Sequence, residues 1–401
     1  MSTHFMSQTE IAAGPSYTRV MTAGVCALIA TVGFGRFSFT PLLPLMRVQA
    51  DVSAMEGGML AASNYAGYLL GAIVASAIRD LRVKVLLYRA GLLLGVGTTL
   101  GMGMTEDPAI WIILRFLSGM ASITGLLLAS GLILNWLIHQ GHRPALGLHF
   151  AGMGVGIVAT GVVVMAATPY LSWDLQWIVF GLLGLALSIP AWLWMPSPRA
   201  GSTPHSQAQE DKQHGFLTIW LLNAAYTTAG VGYVVLATFI VDIVSQLPFF
   251  TEGATMVWIM VGLAAIPSAY VWDRIATIRG SIMALILAFG LQIVSVLLLM
   301  ADSMGSNLAA ALFYGGTFVG IVNMTLSVAG RMQPKNPARA MAQMTIGYSV
   351  AQFITPAVSG YLARESGSYA SVLPLSAIVL GLGMALLIIV KYRCYKANIS
   401  I

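Results

Sequence analysis

The sequence predicts an all-α membrane protein of twelve transmembrane helices in two pseudo-symmetric six-helix bundles. Three observations predict it: the number and length of the apolar runs, the side on which the basic residues fall, and a repeat that relates the two halves.

The apolar runs come first. Of the 401 residues, 58% are hydrophobic and 8% charged, whereas soluble domains carry about 25% charged residues. A helix of about 20 apolar residues crosses a hydrocarbon core of roughly 30 Å. Runs of this kind lie near residues 18 to 46, 56 to 78, 85 to 104, 109 to 138, 145 to 169 and 173 to 195. The polar stretch from Pro196 to Gly215 reads as a linker, and six further runs follow near 216 to 244, 253 to 271, 281 to 301, 307 to 330, 340 to 362 and 370 to 391. They are too long for barrel strands of about 10 residues, and in lipid each backbone must satisfy its own polar groups. The expected organisation is a bundle over 1–195, a cytoplasmic linker over 196–215 and a second bundle over 216–401. Met1 to Tyr17 lacks the basic, apolar and small-residue order of a cleavable signal, so the first helix is expected to be retained.

The basic residues set the orientation, because cytoplasmic loops retain Lys and Arg. With the amino terminus inside, the inner segments hold Arg79, Arg82, Lys84 and Arg89, then Arg274 and Arg279, then Arg331, Lys335 and Arg339, then Lys391, Arg393 and Lys396. Only Arg47 and Arg364 fall outside, while Arg36 and Arg115 lie within helices. Both termini are therefore expected in the cytoplasm. This distribution accounts for the formal net charge of +6 without a nucleic-acid partner. Trp111, Trp173, Trp194 and Trp220 near helix ends read as an interfacial belt.

The repeat is visible in glycine register. Gly33 and Gly35 of the first helix align with Gly230 and Gly232 of the seventh at an offset of 197, which pairs Arg36 with Tyr233. Gly152 and Thr160 align with Gly347 and Thr355 at 195, and Asp80 with Asp273 at 193, each expected in the loop after the second helix of its half. Paired six-helix repeats place a site between them near the bilayer midplane.

Several segments resemble the major facilitator superfamily, and the resemblance runs from about Tyr17 to Tyr392. ILRFLSGMAS, with Arg115 and Gly119, is similar to the family's Arg-x-x-x-Gly motif of helix 4; AIRDLRVK around Asp80 and VWDRIATIRG around Asp273 resemble its loop signature, although Asp80 lacks the usual following glycine. More specifically, GFGRFSFTPLLPLM, SNYAGYLLGA and HFAGMGVGI resemble the YbfB/YjiJ group of bacterial transporters. The resemblance implies a multi-pass secondary transporter of the bacterial cytoplasmic membrane, working by alternating access. It implies no enzyme activity and no cofactor. A small-molecule substrate, protons and membrane lipids are the expected partners, and a monomer the expected state.

Arg36 is the most informative residue, since an arginine at this depth costs about 2.5–3.5 kcal/mol and demands a partner or a ligand. On this reading every acid falls in a loop or at a helix end, Asp242 among the outer ends, so the interior is basic and favours an anionic, carboxylate-like substrate. The competing role for Arg36 is to cap carbonyls that Gly33, Gly35, Pro41 and Pro44 expose. Candidate contacts are Tyr233 and Gln352, with Asn64, Tyr65, Tyr68, Tyr226, Asn323 and Tyr348. Candidate coupling or gating residues are His149, which titrates near physiological pH, and Arg115, Asp80 and Asp273. Export of drugs or other amphiphiles is the alternative, permitted by the aromatic and methionine content. No nucleotide, metal-protease or dinucleotide motif is present.

Overall fold

The computed structural model describes residues 15–78, 80–142, 146–196, 216–248, 253–301, 303–333 and 337–396. Twelve long helices are found: α1 Tyr17–Gln49, α2 Ala54–Ala77, α3 Leu81–Met102, α4 Pro108–His139, α5 Gly147–Ala167 and α6 Trp173–Trp194, then α7 Phe216–Ser245, α8 Ala254–Arg279, α9 Ser281–Leu299, α10 Met304–Met332, α11 Pro337–Ser366 and α12 Leu373–Lys396. Among the described residues, eleven are long and apolar enough to cross a membrane. The exception is α11, whose interior carries Gln343, Thr345, Tyr348, Ser349, Gln352 and Thr355. The expected linker, Pro196 apart, and the loop residues Arg79, Arg143, Arg199, Lys212 and Lys335 lie outside the described residues.

Local signals set the helix ends. Ser53 and Glu56 form a reciprocal capping box at α2, Asp80 accepts from the Arg82 backbone N–H at α3, and Asp107 with Pro108 opens α4. Gly280 carries φ of +83° in the sharp turn between α8 and α9, a conformation that favours glycine. α8 runs unbroken to Arg279, so Asp273 stands exposed on the helix itself rather than in the loop where it was expected; no capping residue interrupts the apolar pattern before Gly280.

Small residues let the helices approach closely. A Cβ on Gly67 of α2 would lie 1.8 Å from the Phe116 carbonyl oxygen of α4, and one on Gly119 would lie 1.9 Å from that of Asn64. The halves meet through α1 with α7, α2 with α11 and α5 with α8. There Gly58 faces Pro356 and Gly360, and Gly154 faces Gly262. Among the described residues every cross-half side-chain hydrogen bond lies toward the end carrying the α1–α2 loop: Thr40 to Ala237, Arg47 to Asp242, Tyr65 with Thr238, Trp258 to Thr160, Arg364 to Met55 and Tyr369 to Ala54.

The tryptophan belt is only half realised. Trp194 and Trp220 are exposed, whereas Trp111 and Trp173 are buried edge-to-face at 5.2 Å, and the Trp111 indole donates to the carbonyls of Met102 and Thr105. The Trp111 donor is satisfied inside the α3–α4 turn, which removes its reason to reach the interface.

Candidate functional site

Arg36 sits in a stretch of α1, Ile29–Phe37, wound as a π-helix, with Ser38 N–H donating to the Gly33 carbonyl five residues back. This winding shifts the hydrogen-bond register, and the Gly35 carbonyl takes side-chain donors from α4. Arg115 Nη1 of α4 donates to it at 2.9 Å and Ser118 Oγ at 2.7 Å. The helix is thus loosened where Gly33 and Gly35 predicted it. Arg115, not Arg36, takes the capping role. Arg115 also lies over the Phe39 ring at 4.7 Å, and its carbonyl accepts from Asn64 Nδ2 at 3.0 Å.

The Arg36 guanidinium lies against two tyrosines of α2, with Cζ 4.3 Å from the Tyr65 ring centre and 4.8 Å from that of Tyr68. Such cation–π contacts use no hydrogen-bond acceptor, so guanidinium N–H groups stay available to an anion. Arg36 is 8% exposed, and its Nε and Nη2 have no hydrogen-bond acceptor among the described residues. No described carboxylate lines the space beside it, which is bounded by Arg36, Phe39, Asn64, Tyr65, Arg115 and Thr238, among others. Asn64 is fully buried, and with its Nδ2 committed to a carbonyl its Oδ1 is left without a donor. The free space is ≈ 10 Å³, about one water molecule.

The second half supplies an aromatic wall. Tyr233 lies 5.9 Å from Tyr348 and 5.5 Å from Phe318, ring centre to ring centre, and its carbonyl accepts from Tyr314 at 3.0 Å. Tyr226 stacks on Tyr348 at 4.4 Å. Gln352 is buried one turn beyond Tyr348, with Oε1 unpaired. Asn323 is half-buried on α10 and makes no side-chain hydrogen bond to this group.

Other expected residues fall elsewhere. His149 is fully buried against Gly24 of α1 and beside Phe150. Gly24 precedes Arg36 by 12 residues, about 18 Å of helix. Asp80 and Asp273 are exposed at the opposite end from the cross-half contacts.

Tyr65, a candidate beside Asn64 and Tyr68, is closer to Arg36 than Tyr68 is, a ranking that α2 periodicity alone does not give. Two residues escaped the sequence-based candidates. Arg47 and Asp242 form an ion pair of 2.6 Å between the last turns of α1 and α7. Each reads from the sequence only as a charge at an outer helix end; they stand 195 positions apart, two short of the 197 offset that relates α1 to α7.

Comparison with known proteins agrees with this architecture. A family model described as "Uncharacterised MFS-type transporter YbfB" matches residues 28–388. A curated relative from Cupriavidus necator, "Probable sulfoacetate transporter SauU", is 23% identical, covering 91% of this chain and 92% of its own. A mutant form of the nucleoside transporter NupG superposes with a TM-score of 0.72 at 14% identity, covering 93% of this chain and 99% of NupG. A bacterial homolog of the human lysosomal transporter Spinster, inward-facing and unoccupied, gives 0.67 at 14% identity, covering 96% and 99%. At that identity the two structures speak for the fold alone.

Proposed function

The chain belongs to the family of YbfB-type MFS transporters, and from that premise we propose that it moves a small organic anion, carboxylate-like at its charged end, by alternating access coupled to protons. It is a transporter and not an enzyme. The observation that carries the anion reading is the Arg36 guanidinium, buried, packed on the rings of Tyr65 and Tyr68, with two nitrogens unpaired and no carboxylate beside it. A buried unpaired cation is costly, and a bidentate oxyanion relieves that cost. The relative named for sulfoacetate, an organic anion, supports the same class.

Within this reading Asn64 Oδ1 and Gln352 Oε1 accept from the substrate, and Tyr68, Tyr226, Tyr233 and Tyr348 enclose it, with Asn323 further along α10. Arg115 holds α1 against α4 so that Arg36 stays aimed. Asp80 and Asp273 act on closure of the end where they stand. With two six-helix domains joined through 196–215 and both termini in the cytoplasm of a bacterial cell, the closed α1–α2 end faces outward.

Arg36→Ala and Arg36→Lys, reconstituted in proteoliposomes, test this against a panel of carboxylates, sulfonates and phosphates. Uptake is expected to fall in both, since an ammonium cannot reproduce the guanidinium fork. Unchanged uptake in a normally inserted Arg36→Ala protein would refute the assignment. Export of amphiphiles is the second reading, favoured by the wall of Tyr226, Tyr233 and Tyr348; transport of uncharged aromatics independent of Arg36 would select it.

A further inference from the structure

The Arg47–Asp242 pair lies apart from the Arg36 group, and we infer that it is a proton-operated latch: ionised Asp242 holds the two halves together at the α1–α2 end, and a proton on Asp242 releases Arg47 and lets that end open. The inference deepens the proton-coupled reading and rests on it for the direction of drive. The latch itself can be tested without a transported substrate.

Asp242 is 2% exposed and is the one buried acid among the described residues. Its Oδ2 accepts from Arg47 Nη1 at 2.6 Å and from Gln246 Nε2 at 3.2 Å. The ion pair joins the last turn of α1 to the last turn of α7, one helix from each half. On its Tyr369 side and beneath it the halves are in contact. Tyr369 stacks on Phe239 at 3.9 Å and donates to the Ala54 carbonyl, Arg47 lies 5.7 Å over the Tyr369 ring, and Thr40 bonds to Ala237 beneath.

A cavity of ≈ 970 Å³ is lined by Arg47 and Asp242 together with Thr168, Ser245, Gln246 and Thr255. It brings solvent, and hence protons, to the edge of the pair. Arg47 is 24% exposed at its side chain, so once released it has water to turn into.

The chemistry is that of linkage. The charge-assisted bond across the halves needs a carboxylate; a neutral acid accepts only weakly and leaves the guanidinium charge unmatched. Proton binding and closure therefore oppose each other, each by the same factor. The other groups facing the pair leave Asp242 as the titrating one. α1 brings Arg47, α11 brings Arg364, which shares a second cavity with Arg47 and stays cationic, the turn before α12 brings Tyr369, and α5, α7 and α8 bring only uncharged Thr168, Ser245, Gln246 and Thr255. No described histidine stands at this end; His139 closes the far end of α4 and His142 follows it, and His149 packs against Gly24.

The test is thiol accessibility in whole cells. Ala237 is 3% exposed and lines the space beside Arg36 beneath the latch, so Ala237→Cys is placed in a chain carrying Cys26→Ser and Cys394→Ser. A membrane-impermeant maleimide is added from outside at about pH 8 and about pH 5. Rates are normalised to Val48→Cys, an 81% exposed site at the same end, which removes the reagent's own pH dependence. Labelling is expected to be slow at the higher pH and to rise as pH falls, by up to about tenfold per pH unit for one proton. Asp242→Asn is expected to label fast at both values, and Arg47→Gln to do the same, so that a variant that fails to insert leaves the other. A wild-type rate equal at the two pH values, or an inserted Asp242→Asn or Arg47→Gln protein as slow as wild type at the higher pH, would overturn the latch. Either outcome leaves the anion reading standing, because Arg36 is untouched.

Discussion

The Thr40 hydroxyl donates to the backbone carbonyl of Ala237, and the two residues are 197 positions apart, the offset that aligns Gly33 with Gly230 and Gly35 with Gly232. The two repeats therefore touch at equivalent positions, one turn beyond Arg36 and its own equivalent, Tyr233. The cation on one side of this contact has no cationic twin on the other. A guanidinium faces a phenol across the pseudo-symmetric seam, and the charge of the site is carried by one half alone.

The α2–α4 seam depends on a missing side chain. A Cβ at Gly67 would sit 1.8 Å from the Phe116 carbonyl oxygen, whereas one at Gly97 meets nothing within 4 Å. Gly67→Ala is expected to destabilise the protein by about 1–3 kcal/mol through overpacking, and Gly97→Ala to leave it unchanged or raise it by up to about 1 kcal/mol. Thermal denaturation in detergent compares them. Equal melting temperatures would mean that the seam is looser than described.

The Gly35 carbonyl takes two donors, from Arg115 and Ser118. Ser118→Ala leaves the arginine in place and is expected to cost about 1 kcal/mol. Arg115→Ala also uncovers the Phe39 ring and is expected to cost about 2–3 kcal/mol. Ser118→Ala is expected to bind the same anions as wild type; a changed anion preference in it would show that this carbonyl belongs to the binding site itself.

Tyr348 has two separable parts, a ring stacked on Tyr226 and a hydroxyl. Tyr348→Phe keeps the stack, while Tyr348→Leu loses an aromatic pair worth about 0.5–1.5 kcal/mol. If the hydroxyl bonds the substrate, Tyr348→Phe retains the wild-type melting temperature and loses about 1 kcal/mol of binding, roughly fivefold in affinity. Wild-type affinity in a calorimetric titration of Tyr348→Phe would reduce the residue to packing.

Much of the fold was legible because lipid simplifies the physics. Apolar length alone marks a spanning helix, and eleven of the twelve needed nothing else. Arg36 stood out for the same reason, as a lone cation in an apolar run, and Gly33 and Gly35 marked the loosened backbone that the π-helical stretch realises. The ion pair was not legible. Arg47 and Asp242 each read as a charge at a helix end, and only the approach of α1 to α7 makes one the partner of the other and buries the acid. Asp273 was misplaced because nothing in VWDRIATIRG distinguishes a helix that continues past the apolar run from a loop. His149 carried a plausible chemistry in the sequence, yet its neighbours turn out to be Gly24 and Phe150 rather than the Arg36 group.

The central claim is that a buried arginine selects an anionic substrate, and ligand-induced thermal stabilisation of the purified protein tests it most directly. The panel comprises carboxylates, sulfonates, phosphates and cationic drugs, assayed on wild type and on Arg36→Ala. Stabilisation by one or more small organic anions, absent with the cations and lost in Arg36→Ala, is the predicted result. Stabilisation by cations, or anion stabilisation that survives Arg36→Ala undiminished, would contradict it.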